Sequence, residues 1–142
     1  MKRSGTMITC KTYFYMKMEN QTDYCFQSGR PYWVLDYYKN SMTLLDSGGS
    51  PVLSEPSSVY LIPPYYPTQH ISTEQKPWVH TTIAFDADRS YMDLLGIPYL
   101  TPIFISDTKN IEQLLFDMES HNLSASKFKQ SALDAYVMLV LI

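Results

Sequence analysis

The sequence predicts a mainly β fold, an antiparallel sandwich or barrel, followed by α-helices. Three observations predict it. From Thr9 to about Asp86, short β-like runs are separated by turn residues. All nine prolines fall at or before position 102, most of them at strand edges, where a missing N–H does least harm. After Asp86 the apolar period changes from two to that of a helix.

The strand candidates follow in order. "KTYFYMKM" alternates and is rich in aromatics, and "PYWVLDYYK" follows "SGR". "MTLLD" ends at the turn "SGGSP" and "SVYLI" ends at Pro63-Pro64. "PTQHIS" and "PWVHTTIAFD" close the region. Turns every several residues suit a sandwich or barrel.

Three helices are then expected. In "DADRSYMDLLGIP", Asp88 is the N-cap, Tyr91, Leu94 and Leu95 share a face, and Gly96 with Pro98 stops the helix. In "SDTKNIEQLLFDMESHN", Asp107 caps, Ile111, Leu114, Leu115 and Met118 follow the helical rule, and Asn122 ends the run. Ser124 or Ser126 starts a third helix, with Phe128, Ala132, Ala135, Tyr136 and Leu139 on one face. Leu133, Val137 and Val140 widen that face, so it must be covered on more than one side. The chain stops inside "YVMLVLI" with no stop signal, and the expectation is a piece of a longer protein.

Composition bounds the function. The chain has 142 residues, 45% hydrophobic and 18% charged, which suits one compact domain. A formal net charge of −3 and the lack of a basic stripe argue against nucleic-acid binding by this chain alone. The start "MKRSGTMITC" has no apolar run after its basic residues, so it does not read as a signal peptide. "YVMLVLI" is too short to span a membrane, and with only two cysteines the simplest expectation is a cytoplasmic protein with reduced thiols. Cys10 and Cys25 fit no metal spacing, and their pairing stays open. Twelve tyrosines and eight methionines fit a ligand pocket, or equally a Tyr- and Met-rich core.

Catalytic signals are weak. A metal needs several converging ligands. The metal-dependent jelly-roll enzymes of the cupin class offer an H-x-H pair, a Glu and a later His. Here Ile71 and Ser72 follow His70, Thr81 and Thr82 follow His80, and Glu74 is the one nearby carboxylate candidate. No G-x-S-x-G and no Gly-rich phosphate loop is present. No enzyme, no metal and no cofactor is therefore expected, and a metal-dependent cupin enzyme is the rival reading.

A binding pocket has better support. On a strand from Pro77 to Phe85, Trp78, His80, Thr82 and Ala84 share one face, and Val79, Thr81, Ile83 and Phe85 the other. The first face is a pocket wall or a half-exposed surface. In the earlier strand, Trp33, Leu35 and Tyr37 share one face and Tyr32, Val34, Asp36 and Tyr38 the other; alternation does not say which turns inward. Arg30 stands just before it as a possible fork for hydroxyls or carboxylates.

"GRPYWVLDYY", "SSVYLIPPYYPTQH", "PWVHTTIAFD" and the capped helices together resemble the N-terminal sensor domain of AraC-type bacterial transcription regulators. The resemblance covers essentially the whole chain and is specific in the "LIPP…H…W-x-H…F" core. It implies a cupin-like antiparallel β barrel (jelly roll), spanning 1–86 with an N-terminal arm, and a helical dimerisation segment over 87–142. It implies a small-molecule effector in the barrel, a homodimer, and DNA contact only through a C-terminal helix-turn-helix domain not in this chain. In arabinose-responsive members, an Arg before an early strand and the His of W-x-H contact the sugar; Arg30 and His80 match those positions. Their indole two residues later is Thr82 here, so that stacking platform is missing. The expected ligand site is Arg30 and His80 as donors, with Trp78, Thr82, Trp33 and Tyr37 as wall and His70 at the rim. The ligand is expected to be a sugar or related polar metabolite. The expected dimer face carries Leu114, Leu115, Met118, Phe128 and Tyr136.

Overall fold

The computed structural model describes residues 8–19, 24–26, 29–39, 43–46, 52–54, 57–72, 78–101 and 103–141. Nine strands come in the order β1 (Ile8–Glu19), β2 (Tyr24–Phe26), β3 (Trp33–Tyr38), β4 (Thr43–Asp46), β5 (Val52–Ser54), β6 (Ser58–Ile62), β7 (Thr68–Ser72), β8 (Trp78–Ala87) and β9 (Ile103–Phe104). Helix α1 (Arg89–Leu95) precedes β9, and α2 (Thr108–Asn122) and α3 (Lys129–Leu141) follow it.

The strands form two antiparallel sheets. One has the order β1-β8-β3-β6-β9, the other β2-β7-β4-β5. Among the described residues no ladder joins them, so the expected barrel closure is not seen in the hydrogen bonding. The architecture is a mainly antiparallel β fold with three helices in its C-terminal part. The two-residue strand β9 pairs with β6, so the segment after residue 86 adds its own strand to the sheet.

The five-stranded sheet is buried on both sides. Every residue of β3 and of β6 is buried, which explains why "WVLDYY" and "SVYLI" read as near-continuous apolar runs. One face carries Trp33, Leu35, Tyr37, Leu61, Ile83 and Phe85 and packs on the helices through Met92, Leu115, Met118, Leu133, Val137 and Leu141. The opposite face carries Val34, Tyr38, Tyr60 and Ile62, joined by Tyr32, Tyr66 and Leu100. A sheet face this deeply buried and turned from the helices is covered by another layer of the chain.

Strand β1 runs beside β8 for its whole length but slips register between Cys10 and Thr12 and between Phe14 and Lys17. The first slip puts Cys10 and Tyr13, three residues apart, on the helix-facing side together. Tyr13 OH donates to the carbonyl of Leu115 in α2 at 2.6 Å. Cys10 carries a free thiol, so it forms no disulfide with Cys25. Burial, aided by Asp134, pushes that thiol up to about 12.

The helix boundaries follow the sequence closely at two places. Gly96 ends α1 in the left-handed conformation, φ 69°. Asp107 caps α2 by accepting from the Asn110 N–H at 3.3 Å. The faces differ from expectation. In α1, Met92 is the buried residue and Leu94 is 85% exposed. Helix α3 begins at Lys129; Ser124 and Ser126 instead shape the approach by accepting from the Ser126 and Phe128 N–H groups. Its buried stripe is Leu133, Val137 and Leu141, while Phe128 and Leu139 stand outside. A helix apolar nearly all round offers no periodicity to choose between those stripes.

Candidate ligand-binding site

Strand β8 places His80, Thr82 and Ala84 on the face turned from the helices. The register sets Thr82 opposite Asp36 and His80 opposite Tyr38 on β3, and Tyr60 of β6 opposite Asp36 on the other side. Directly paired side chains of one face lie close enough to bond. Thr82 Oγ1 donates to Asp36 Oδ1 at 2.8 Å, and Tyr38 OH donates to Asp36 Oδ2 at 3.3 Å. His80 Nδ1 lies 2.9 Å from Thr82 Oγ1.

Proton counting fixes the direction of this row. The Thr82 hydroxyl has one proton, and Asp36 receives it. The His80 Nδ1 is therefore the N–H donor to Thr82 Oγ1. Thr82 and Tyr38 thus both donate to the Asp36 carboxylate, which is only 3% exposed. Tyr38 and Tyr60 are wholly buried beside it. Buried polar groups cost free energy unless hydrogen-bonded, and Asp36, Tyr38, Thr82 and His80 are bonded to one another.

The structure sorts the residues expected from sequence. It brings His80 and Thr82 together. It sets Trp33 and Tyr37 on the opposite, helix-facing side of the sheet, apart from His80 and Thr82, their expected neighbours in the pocket wall. Trp33 stacks near Phe85 and Tyr99 and donates its Nε1–H to the Ala87 carbonyl at 3.0 Å. Tyr37 OH donates to Glu112 of α2 at 3.3 Å, and burial with the Glu112 charge pushes its hydroxyl up to about 12. Their partners on β3, Asp36 and Tyr38, take the inner face instead.

Arg30 and His80 are also separated. Tyr38 pairs with His80, whereas Trp33, nearer Arg30, pairs with Phe85. Five strand steps lie between, roughly 17 Å. Arg30 sits at the other end of the ladder, where its carbonyl accepts from the Tyr65 N–H at 2.7 Å. There Gly29 (φ 70°) lies so close to the Tyr65–Tyr66 backbone that a Cβ would stand 2.2 Å from the Tyr65 carbonyl carbon. The "GRPYW" and "LIPPYY" segments are thus one packed corner. His70 is the middle residue of β7, paired with Tyr24 and Leu45, rather than at a strand end. Trp78 opens β8 opposite Glu19. The His70 and Trp78 side chains lie outside the described residues.

Two concave spaces open on the other side of the sheet. One, of about 180 Å³, is lined by Leu35, Val59, Ile103, Ile111 and Val140 among others. It adjoins a groove of about 310 Å³ bordered by Phe104, Leu114 and Leu139. The smaller space is lined, among the described residues, by apolar side chains alone, and the polar residues on the groove, Ser106, Asp107 and Asn110, are exposed rather than buried as on the inner face. Among the described residues, no three His, Cys, Asp or Glu side chains gather as a metal site. No helix there is long and apolar enough to cross a membrane.

Of the expected dimer residues, Leu115 and Met118 are 1% and 0% exposed and belong to the chain's own core. Leu114 is half-buried, Phe128 exposed, and Tyr136 half-buried against the His121 ring.

The sequence matches no family model and no curated protein. The fold is similar to that of solved structures. Apo ToxT K231A from Vibrio cholerae strain SCE256 aligns with TM-score 0.55 and 11% identity, covering 95% of this chain and 54% of that one. A second ToxT structure from Vibrio cholerae gives 0.56 and 11%, covering 92% and 54%. The AraC-like transcriptional activator CuxR gives 0.50 and 10%, covering 81% and 44%. The chain spans about half the length of these structures, and the likeness is one of fold.

Proposed function

We propose that this chain is the effector-sensing and dimerisation part of an AraC-type transcription regulator. A small polar molecule, a sugar or related metabolite, binds against the inner face of the five-stranded sheet. The fold likeness to the AraC-like activator CuxR and to ToxT supports the class. The observation that carries the site is the buried Asp36–Thr82–His80 row with Tyr38. A sheet does not need such a row: Val34, Ile62 and Ala84 fill the same face with apolar side chains, and apolar replacement of buried polar groups is often as stable. Polar groups converging in an apolar layer are the chemistry of small-molecule recognition.

In this reading Asp36 and His80 orient the ligand through Thr82 and Tyr38, and Arg30 acts at the far corner of the sheet. A second copy covers the exposed apolar positions on and between the helices, namely Phe116, Leu123, Phe128 and Leu139, with the half-buried Leu114 beside them. DNA is contacted by a domain beyond the matched half of the solved relatives.

A thermal-shift screen of sugars, sugar acids and amino acids tests the reading. A ligand that binds only the folded state raises Tm. The expected result is a concentration-dependent rise with at least one polar metabolite, reduced in Thr82→Val. No shift with any of them, at concentrations up to the millimolar range, contradicts it.

A further inference from the structure

Helix α3 is tied to the sheet by a closed ring of three hydrogen bonds. The Cys10 N–H donates to Asp134 Oδ1 at 2.7 Å. Gln130 Nε2 donates to the Cys10 carbonyl at 2.8 Å and to Asp134 Oδ1 at 2.7 Å. Strand β1 is an edge of its sheet. Two side chains one helical turn apart therefore take the N–H and the C=O of a single edge residue, as a neighbouring strand would. Gln130 is exposed and Asp134 half-buried, so water can replace each bond when the parts move.

The other end of α3 is held differently. Val140 and Leu141 stand over the 180 Å³ space, with Leu35, Val59 and Ile103 on its far side. Leu139 and Val140 border the 310 Å³ groove. A helix pinned by polar bonds near its start, with unfilled volume beneath its end, has room to pivot. Close-packed interiors rarely leave such room.

Strand β1 connects this clamp to the polar row. In the ladder Phe14 stands opposite Thr82 and Lys17 opposite His80. Between them Met16 has φ 45° and its N–H donates to Thr81 Oγ1 at 3.0 Å. The two register slips divide β1 into segments, so a short piece can shift against β8 without unzipping the whole ladder.

We infer that Gln130 and Asp134 form a releasable latch on Cys10 that passes displacement of β1 to α3. Closed, it fixes the start of α3 on the sheet edge. Open, it lets α3 rock into the space beside Val59 and Ile103. The latch itself stands on the geometry above; only the direction of the signal, from the inner face outward, rests on the sensor reading.

Hydrogen–deuterium exchange on the whole 142-residue chain tests it. In Asp134→Ala, α3 amides exchange about tenfold or more faster, while the slowest β3 and β8 amides keep their rates. The buried Cys10 thiol, an internal reporter, is alkylated by iodoacetamide faster by a similar factor. Gln130→Ala leaves the Cys10–Asp134 bond in place and gives the same pattern at smaller size, so it carries the test if Asp134→Ala does not fold. Adding His80→Ala alters α3 exchange in the latched protein and leaves it unaltered in the unlatched one. Uniform acceleration of sheet and helices, no acceleration in either single variant, or an equal His80→Ala effect in both backgrounds overturns the latch. Failure of the ligand screen leaves these exchange results intact, so the two claims fail separately.

Discussion

Thr82 on β8 donates its hydroxyl proton to Asp36 on β3 at 2.8 Å, at a directly paired position of the ladder. That bond sets the tautomer of His80 and the direction of the whole buried row. Thr82→Val keeps the shape but removes the donor to Asp36 Oδ1 and the acceptor beside His80 Nδ1. It should cost about 1–3 kcal/mol by urea denaturation. Thr82→Ser keeps the hydroxyl and should cost less. Equal losses would mean that the methyl, not the hydroxyl, matters there.

Gly29 and Gly96 both have positive φ but differ in surroundings. A Cβ on Gly29 meets the Tyr65 and Tyr66 backbone at 2.2–2.5 Å, whereas one on Gly96 meets nothing within 4 Å. Gly29→Ala should cost at least about 3 kcal/mol, because backbone must move as well as strain. Gly96→Ala should cost about 1 kcal/mol from φ alone. Similar values for the two would show that the corner does not pack as described.

This corner also marks what the sequence made legible. The strand order of motifs, the Gly96 stop and the Asp107 cap rest on local chemistry, and the structure keeps them. The contact between the Gly29 turn and Tyr65 is a tertiary fact that no local pattern encodes. The same holds for β9, where two residues become a strand only because β6 offers an edge.

The alkaline limb of stability should start at the Cys10 thiol. Its pKa is raised from 9.0 to about 12. That stabilisation is fully present below pH 9 and is lost as pH rises toward 12. Tyr37, raised from 10.0 to about 12, behaves alike from pH 10. Stability measured from pH 8 to 11 should fall from about pH 9 in the wild type. In Cys10→Ala the fall should begin about one unit later, at the tyrosine. An unchanged onset would remove Cys10 from the account.

Core and outer helix positions should separate by assay. Leu115→Ala and Met118→Ala should each cost about 2–5 kcal/mol at any protein concentration. Leu114→Ser and Phe128→Ser should leave denaturation within about 0.5 kcal/mol when measured on dilute protein. In sedimentation they should shift the molecule toward monomer. A wild type that stays monomeric at high micromolar concentration contradicts the proposed pairing.

The site was half legible. Strand parity put His80 and Thr82 on one face, and the structure agrees on that pairing. Parity of "WVLDYY" was undecidable, because β3 is buried on both faces and alternation vanishes. The residue types held the clue: a lone carboxylate, Asp36, among apolar neighbours needs polar partners, and only His80 and Thr82 in the neighbouring strand supply them. Trp33 and Tyr37 instead use their polar ends toward Ala87 and Glu112 on the helical side. In the helices the same loss of contrast hid which stripe of α3 faces the core.

The most direct measurement is a crystal structure with the metabolite that gives the largest thermal shift. The account expects its polar atoms within hydrogen-bond distance of the Asp36, Tyr38, Thr82 and His80 side chains. A ligand seated instead in the apolar space beside Ile103, Ile111 and Val140 would contradict it.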